Sequence, residues 1–175
     1  MAQLSQFVDR LGSGGARANQ FSVQVTGGAA SMPEGFTFLC RSAQIPAQTI
    51  GEVAVPYRGR QVFLAGDRTF DAWTVTVFSD DAWGIRSALE SWSNAIQDMG
   101  NTTDGLVFPR NYYGSAVVKQ LSRDDVTLNR YDLFDIWPQT VDAIDLAYDT
   151  NDAIMEFGVT WRFNYMKSEG GGGAA

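Results

Sequence analysis

Apolar and polar residues alternate along most of this chain, which is the pattern of strands that bury one face. In the clearest run, residues 70–79, every second residue from Trp73 to Val77 is apolar and threonines lie between them. We expect a core strand here. Gly66 and Asp67 precede it in a charged segment that predicts a turn into the strand.

Alternation elsewhere predicts further strands at residues 21–26, 36–40, 50–56, 60–65, 115–123, 127–136, 144–148 and 153–166. The first two of these form a hairpin with a loose connection in this interpretation. Pro56 assigns the 50–56 strand to a sheet edge, because proline cannot donate a ladder hydrogen bond. Trp137 and Pro138 are expected to end the 127–136 strand for the same reason.

Two segments have the spacing of amphipathic helices. Residues 3–11 carry one apolar stripe and form a short amino-terminal helix or arm, which a glycine-rich joint connects to the rest of the chain. Residues 80–99 predict a longer helix that Asp80 and Asp81 begin and that Gly100 ends. This helix is expected to pack against the sheet through an apolar face that ends at Met99.

The last predicted strand, residues 153–166, is the most regular in the chain. Its apolar face is rich in aromatic residues, whereas its other face should meet solvent or a water-filled space. The polar positions that we take as candidates on that second face are Glu156, Thr160, Arg162 and Asn164.

The length of 175 residues suits a single core. We divide the chain into an amino-terminal arm (1–18), a single domain (19–167) and a flexible glycine-rich tail (168–175). No apolar run is long enough for a membrane helix and no secretory signal pattern is visible, so the chain is expected to be cytoplasmic when it is made.

Charge restricts the partners. Thirteen basic and twenty acidic residues give a formal net charge of −7. The summed field therefore repels nucleic acid and anionic membranes, so any contact with DNA is expected to be non-adhesive.

The chain contains few residues that could serve in catalysis. The chain has no histidine, and the single cysteine, Cys40, is interpreted as a small apolar core residue. Paired aspartates could in principle hydrolyse a glycosidic bond or hold a cation, but the pairs lie in predicted turns and beside a helix start, where aspartate serves local hydrogen bonds. We expect no catalytic, metal or cofactor site. A small-ligand-binding β-barrel or a carboxylate-dependent enzyme remains the alternative of another class.

Five segments together resemble the tail tube protein of contractile-tailed bacteriophages. They are AGDRTFDAWTVTV at 65–77, FTFLC at 36–40, the nearby Ile45-Pro46-Ala47, SAVVKQLSRD at 115–124 and IWP at 136–138. The resemblance runs in order over about residues 20–166, and its most specific part is the segment 65–77.

This resemblance implies a mainly β, antiparallel sandwich-like or barrel-like subunit with one flanking helix. Six subunits would form a ring whose inner strands join into a barrel, and rings would stack into a hollow tube inside a contractile sheath, above a baseplate. DNA and the tape-measure protein would occupy the lumen transiently without specific binding. A baseplate initiator, or the tube of a phage-derived contractile injection system, is the structural alternative. The location implied is the virion tail, after assembly in the host cytoplasm.

The apolar segment 50–65 then becomes a candidate contact between subunits. The candidates in and beside it are Ile50, Val53, Val55, Tyr57, Arg58, Asp67 and Arg68. The alternative is that this hairpin folds on its own core, with a local pair between Asp67 and Arg68. The lumen could be lined by the polar face of 153–166 or by the polar faces of 50–65, and we expect it to carry more Asp and Glu than Lys and Arg.

Overall fold

The computed structural model describes residues 2–11, 15–101, 103–148 and 153–170. The helices in this part of the chain are α1 (Ala2–Leu11), α2 (Gly35–Leu39) and α3 (Gly84–Ile96), with a 3₁₀ turn at Pro109–Asn111. The strands are β1 (Phe21–Gly27), β2 (Cys40–Ala43), β3 (Gln48–Tyr57), β4 (Arg60–Phe70), β5 (Trp73–Phe78), β6 (Gly114–Leu121), β7 (Thr127–Val141), β8 (Glu156–Arg162) and β9 (Tyr165–Gly170). None of these helices has the length and apolar character needed to cross a membrane.

All strand pairs are antiparallel, and seven strands form one sheet in the order β1-β6-β7-β8-β5-β2, with β9 beside β7. The 15-residue strand β7 serves both halves of this sheet. Its first part pairs with β6 and β9, and its last part pairs with β8. Asp135, with φ of 58°, lies where β7 changes partners. The predicted mainly β sandwich-like fold with a flanking helix is confirmed.

The core lies between the two half-sheets and the helix α3. Three tryptophans, Trp73, Trp92 and Trp161, are fully buried there, and the Trp92 and Trp161 rings meet at 5.5 Å between centroids. Burial of rings of this size is the dominant favourable term for a domain of this length. The predicted apolar face of β5 and the inward face of α3, with Leu89 and Trp92, are therefore confirmed.

The predicted strand 36–40 is wrong, because Gly35–Leu39 forms the short helix α2. Phe36 is buried and Leu39 and Cys40 pack against the core, which is the i, i+3, i+4 spacing of a helix turn. Five residues are too few to separate this spacing from alternation. As a result β1 does not form the expected hairpin and pairs with β6 instead.

The predicted turn at residues 66–68 is also wrong, because β4 continues through it to Phe70. A break at residues 71 and 72 then separates β4 from β5, so the expected strand 70–79 is shorter at its start. The charged segment therefore lies inside β4, and the break follows it.

Pro138 does not end β7. The strand continues to Val141, and its register against β8 shifts between Pro138 and Thr140. A shift of this kind is a bulge, and a bulge tolerates a residue without an N–H group. The predicted end at Pro138 was therefore wrong, because a proline at a bulge does not prevent the strand from pairing on either side of it.

The remaining differences concern element ends. Residues 142–147 form no strand, and the predicted strand 153–166 is divided into β8 and β9 by Phe163 and Asn164. Helix α3 starts at Gly84 and ends at Ile96, which leaves Met99 exposed. The strand β9 reaches Gly170, so the first residues of the proposed tail pair with β7.

Candidate assembly interface

The strands β3 and β4 form a two-stranded hairpin that is separate from the seven-stranded sheet. Its two-residue turn consists of Arg58 and Gly59, with φ of 47° and 84°. Two consecutive positive φ angles are those of a type I′ turn, whose twist matches that of the strands beside it. The hairpin therefore has a well-defined tip at residues 57–60, where the sequence analysis expected its turn.

Cross-strand pairing distributes the apolar residues over both faces of the hairpin. Residues directly opposite one another lie on the same face of a sheet. One face carries the pairs Val53–Leu64, Val55–Val62 and Tyr57–Arg60, and the other carries Glu52–Ala65, Ala54–Phe63, Pro56–Gln61 and, nearer the root, Ile50–Arg68. Both faces thus combine aliphatic or aromatic side chains with a charge.

Both faces are open to solvent in the single chain. Large apolar side chains on each remain about half exposed: Ile50 54%, Val53 50%, Tyr57 62%, Phe63 59% and Leu64 54%. An isolated two-stranded hairpin is only marginally stable in water, and a contiguous apolar surface on a single protein marks an interaction site. The alternative that the hairpin folds on its own core does not agree with this exposure.

A β-bulge bends the hairpin near its root. Ile50 pairs with Arg68 and Glu52 pairs with Ala65, so the single residue Gly51 lies opposite the two residues Gly66 and Asp67. A Cβ atom on Gly66 would lie 3.1 Å from the Gly51 backbone, so the strands approach closely here. Bulges increase strand twist. The charged segment therefore sets the direction of the hairpin, although as a bulge and not as the turn we expected.

Arg68 is exposed, and its guanidinium donates a hydrogen bond to the side-chain oxygen of Gln48 on the neighbouring strand of the same hairpin. The salt bridges among the described residues do not include the pair between Asp67 and Arg68 that belonged to the alternative interpretation. All seven candidate contact residues of the sequence analysis lie on the hairpin. Two further apolar residues of β4, Leu64 and Val62, pair with the candidates Val53 and Val55, and Phe63 pairs with Ala54 on the other face. Only the strand register places these residues beside the candidates.

The helix α1 is a second exposed apolar surface. Four residues at helical spacing, Leu4, Phe7, Val8 and Leu11, are all exposed. The predicted stripe is therefore present, without a covering partner in the described part of the chain.

The outer face of β8 and β5, opposite the core, is rich in hydroxyl groups. Thr160 of β8 pairs with Thr74 of β5 on one side and with Thr140 of β7 on the other. Thr76 continues the row beside Ser42 of β2. These threonines were visible in the sequence as the polar face of a core strand. Their assembly into one patch depends on the order of the strands.

Three of the four candidates for a water-filled lumen belong to this hydroxyl face or its ends. Glu156 accepts a hydrogen bond from Arg41 at one end, and Arg162 follows Thr160 by two residues at the other. Asn164 lies beyond the end of β8 and donates to the Asp135 carboxylate at 3.2 Å. The structure thus separates Asn164 from the other three.

The aspartates mostly serve local structure. Asp80 accepts from the Gly84 N–H at 3.3 Å at the start of α3, and the Asp104 carboxylate accepts from Asn101 at 2.8 Å. No group of three possible metal ligands occurs among the described residues. Two of the paired aspartates of the sequence, Asp149 and Asp152, lie outside the described residues. Burial raises the pKa of the Cys40 thiol to about 11, so this cysteine is held protonated near neutral pH.

Sequence comparison finds relatives over most of this chain. Residues 10–168 match the family described as phage tail tube protein. The tail tube protein gp19 of Enterobacteria phage T4 is 34% identical over 151 residues, which cover 86% of this chain and 90% of that protein.

Solved structures share the fold. A chain of the sheath–tube complex of an extracellular contractile injection system, PVC, matches with a TM-score of 0.60 and 14% identity, over 93% of this chain and 97% of the other. A chain of the sixfold-symmetrised baseplate of the anti-feeding prophage matches with a TM-score of 0.64 and 11% identity, over 89% and 95%. At these identities the likeness concerns the fold alone.

Proposed function

This chain belongs to the phage tail tube protein family, and we propose that it assembles through its β3–β4 hairpin into stacked rings that form the inner tube of a contractile tail. It is a structural component of the virion tail. The family consists of structural proteins, so the enzyme and ligand-binding alternatives are not favoured.

The observation that carries the proposal is the exposure of apolar side chains on both faces of the hairpin. A single partner surface could cover one face only. A subunit inside a stack has neighbours on more than one side, so both faces can be buried at once. Contacts between successive rings are head-to-tail and do not close, which is how one kind of subunit gives a tube of indefinite length.

A ring of six subunits is what the tail tube resemblance implies. The sixfold symmetry of the matching anti-feeding prophage baseplate supports this number. We place the sheath outside the tube and the baseplate at its end, as the resemblance implies, and assembly in the host cytoplasm before the tail is completed.

We assign the hydroxyl face of β5 and β8 to the lumen. Threonine hydroxyls hydrate well and offer no cation to phosphate, so little counterion release would reward DNA binding. DNA and the tape-measure protein would therefore pass along this surface without specific binding. The net charge of −7 favours the same behaviour.

Imaging of the purified protein tests the proposal. We expect rings or filaments in negative stain, with an onset that depends on protein concentration. Val55→Asp should abolish them, because burial of an unpaired carboxylate costs several kcal/mol. That cost is roughly as large as the free energy that this part of the hairpin contributes to the contact between subunits. The thermal unfolding midpoint of this variant should stay unchanged, since Val55 is exposed on the hairpin and is not among the described apolar residues that pack on the core.

Val107→Asp is the matched control, because Val107 is exposed on the 101–111 loop and lies off the hairpin. This variant should assemble like the wild type. A wild-type protein that remains a monomer at every concentration, or a Val55→Asp variant that forms normal tubes, would contradict the proposal.

A further inference from the structure

Arg41 is a cation on the hydroxyl face, and its side chain reaches across two neighbouring strands. It lies at the irregularity in β2 between Cys40 and Ser42. Its guanidinium lies over the Phe78 ring of β5, at 5.9 Å from the ring centroid, and donates to the Glu156 carboxylate of β8. Phe78 and Glu156 are themselves opposite each other in the register of β5 and β8. The positive charge of Arg41 is therefore held against this face by one carboxylate.

The ion pair between Arg41 and Glu156 is open to solvent. The two side chains are 53% and 38% exposed, respectively. Ion pairs with this exposure contribute little to the stability of a fold. The main consequence of the pair concerns instead the charge that the face presents, because the carboxylate cancels the charge of the guanidinium.

An arginine without this partner would bind phosphate. The planar guanidinium donates to a phosphate in the same forked geometry with which it binds a carboxylate. Each phosphate that a protein neutralises releases counterions, and this release is the main source of sequence-independent affinity for DNA. Glu156 and a DNA phosphate therefore compete for the same N–H groups of Arg41.

A second carboxylate lies at the same end of the hydroxyl face. The side chain of Asp142 crosses Gly158, two residues after Glu156, so closely that a Cβ atom on the glycine would overlap the carboxylate. Arg162 lies at the other end of β8, and the salt bridges among the described residues do not include it. Arg41 thus lies in an acidic neighbourhood, whereas Arg162 sets the baseline affinity of the face for DNA.

We propose that Glu156 masks Arg41 from the phosphates of DNA in the bore, and that this masking keeps the hydroxyl face non-adhesive. This inference rests on the proposed function, because it requires an assembled tube whose lumen is the hydroxyl face. In the proposed ring of six subunits, loss of the mask exposes six arginines at one level of the bore, and every further ring adds six more. The passage of DNA thus depends on one carboxylate in each subunit.

Binding of DNA to assembled tubes tests the mask. Tubes of Glu156→Gln are mixed with a short linear DNA duplex and sedimented, and the bound DNA is measured over a range of salt concentrations. We expect an affinity about tenfold or more above that of wild-type tubes, because one charge-assisted contact is worth roughly that factor. The slope of log affinity against log salt concentration should steepen by about 0.9 for each phosphate that Arg41 contacts.

Two further variants separate unmasking from a general loss of acidity. Arg41→Gln together with Glu156→Gln removes both charges and should return the affinity to the wild-type value. Glu90→Gln is the matched control, because it removes the carboxylate partner of Arg86 on α3, away from the hydroxyl face. Arg86 keeps its bond to the Asp142 carbonyl, so this variant should bind DNA like the wild type. A raised affinity in either of these variants would overturn the inference.

A closed circular duplex locates the binding surface, because it has no end that can enter the bore. We expect Glu156→Gln tubes to retain the linear duplex and not the circular one. Equal retention of both forms would mean that Arg41 lies outside the tube, and the inference would be wrong. It would also be wrong if Glu156→Gln tubes bound the linear duplex no better than wild-type tubes, or if Glu156→Gln formed no tubes, since the pair would then be structural. A wild-type protein that forms no rings or filaments would overturn the proposed function as well.

Discussion

Trp92 illustrates how single residues fix the core of this protein. Its indole N–H donates to the Tyr112 carbonyl at 2.8 Å, and its ring packs on Trp161. The backbone approaches the same ring at two glycines: a Cβ atom on Gly114 would lie 2.7 Å from it, and one on Gly28 would overlap it. The sequence predicted that Trp92 is buried but not that Gly28 must be a glycine, because that requirement arises only from the packing.

Replacement of Gly28 by alanine should therefore be costly. Gly28 has φ of 88°, so alanine adds backbone strain to the overlap with Trp92. We expect the free energy of unfolding to fall by about 2–5 kcal/mol, the sum of a typical overpacking cost and the left-handed backbone cost. Urea denaturation followed by tryptophan fluorescence measures this change.

Alanine substitutions at two other glycines separate the cost of backbone strain from the cost of overlap with Trp92. Gly59→Ala meets no atom within 4 Å at φ of 84°, so it should show the backbone cost alone. Gly170→Ala also meets no atom within 4 Å and should change stability by less than about 0.5 kcal/mol. Equal losses for Gly28→Ala and Gly59→Ala would show that the Trp92 ring yields without cost.

Elements were predictable where one face is buried and less so where a strand bends. The alternation of β5, β6 and β8 identified them because a buried face imposes period two. The bulges at Gly66–Asp67 and at Pro138 were missed, since glycine, aspartate and proline are also the residues of turns and ends. Which role they have depends on whether a partner strand continues alongside, and the sequence of one strand does not contain that information.

The charged segment at the bulge near the hairpin root can be tested for a role in assembly. We propose that Asp67 or Arg68 bonds at or beside a subunit boundary, in addition to the bond from Arg68 to Gln48. Asp67→Ala and Arg68→Ala should then reduce the number and regularity of tubes in negative stain, while the circular dichroism spectrum of the unassembled subunit stays unchanged.

Arg110→Ala is the matched control for these two variants, because it removes an exposed arginine from the loop after α3. If both Asp67→Ala and Arg68→Ala form normal tubes, neither residue makes a necessary contact at a subunit boundary, and the proposal is wrong.

At the scale of the whole molecule, the sequence predicted the fold class and offered a candidate contact segment and two candidate lumen faces, but it did not indicate the full extent of the hydroxyl face that we assign to the lumen. The alternation predicted the strands and the resemblance implied the sandwich, while the apolar residues of 50–65, expected to contact another subunit, are exposed in the single chain. The hydroxyl face combines residues from β2, β5, β7 and β8, which are distant in sequence and adjacent only through the order of the strands. Such a surface cannot be assigned from any one of its segments.

The residues that face the lumen of the assembled tube can be predicted from the hydroxyl face. We expect a cryo-EM map of the assembled tube to show Thr74, Thr76 and Thr160 facing the lumen, with more Asp and Glu than Lys and Arg on its wall. The physical reason is that DNA slides along a surface that offers few cations to phosphate. A basic lumen, or these threonines facing the outside of the tube, would contradict this assignment.

The continuity of β7 has a mechanical consequence. Backbone hydrogen bonds of both half-sheets attach to this one strand, so the half-sheets cannot slide past each other without breaking bonds on both sides of Asp135. The hairpin is different, because within the described part of the chain β3 and β4 pair as strands only with each other. The body of each subunit is therefore stiff and its hairpin compliant. A tube made of such subunits would bend under load at the joints between rings, while each ring keeps its shape and the bore stays open.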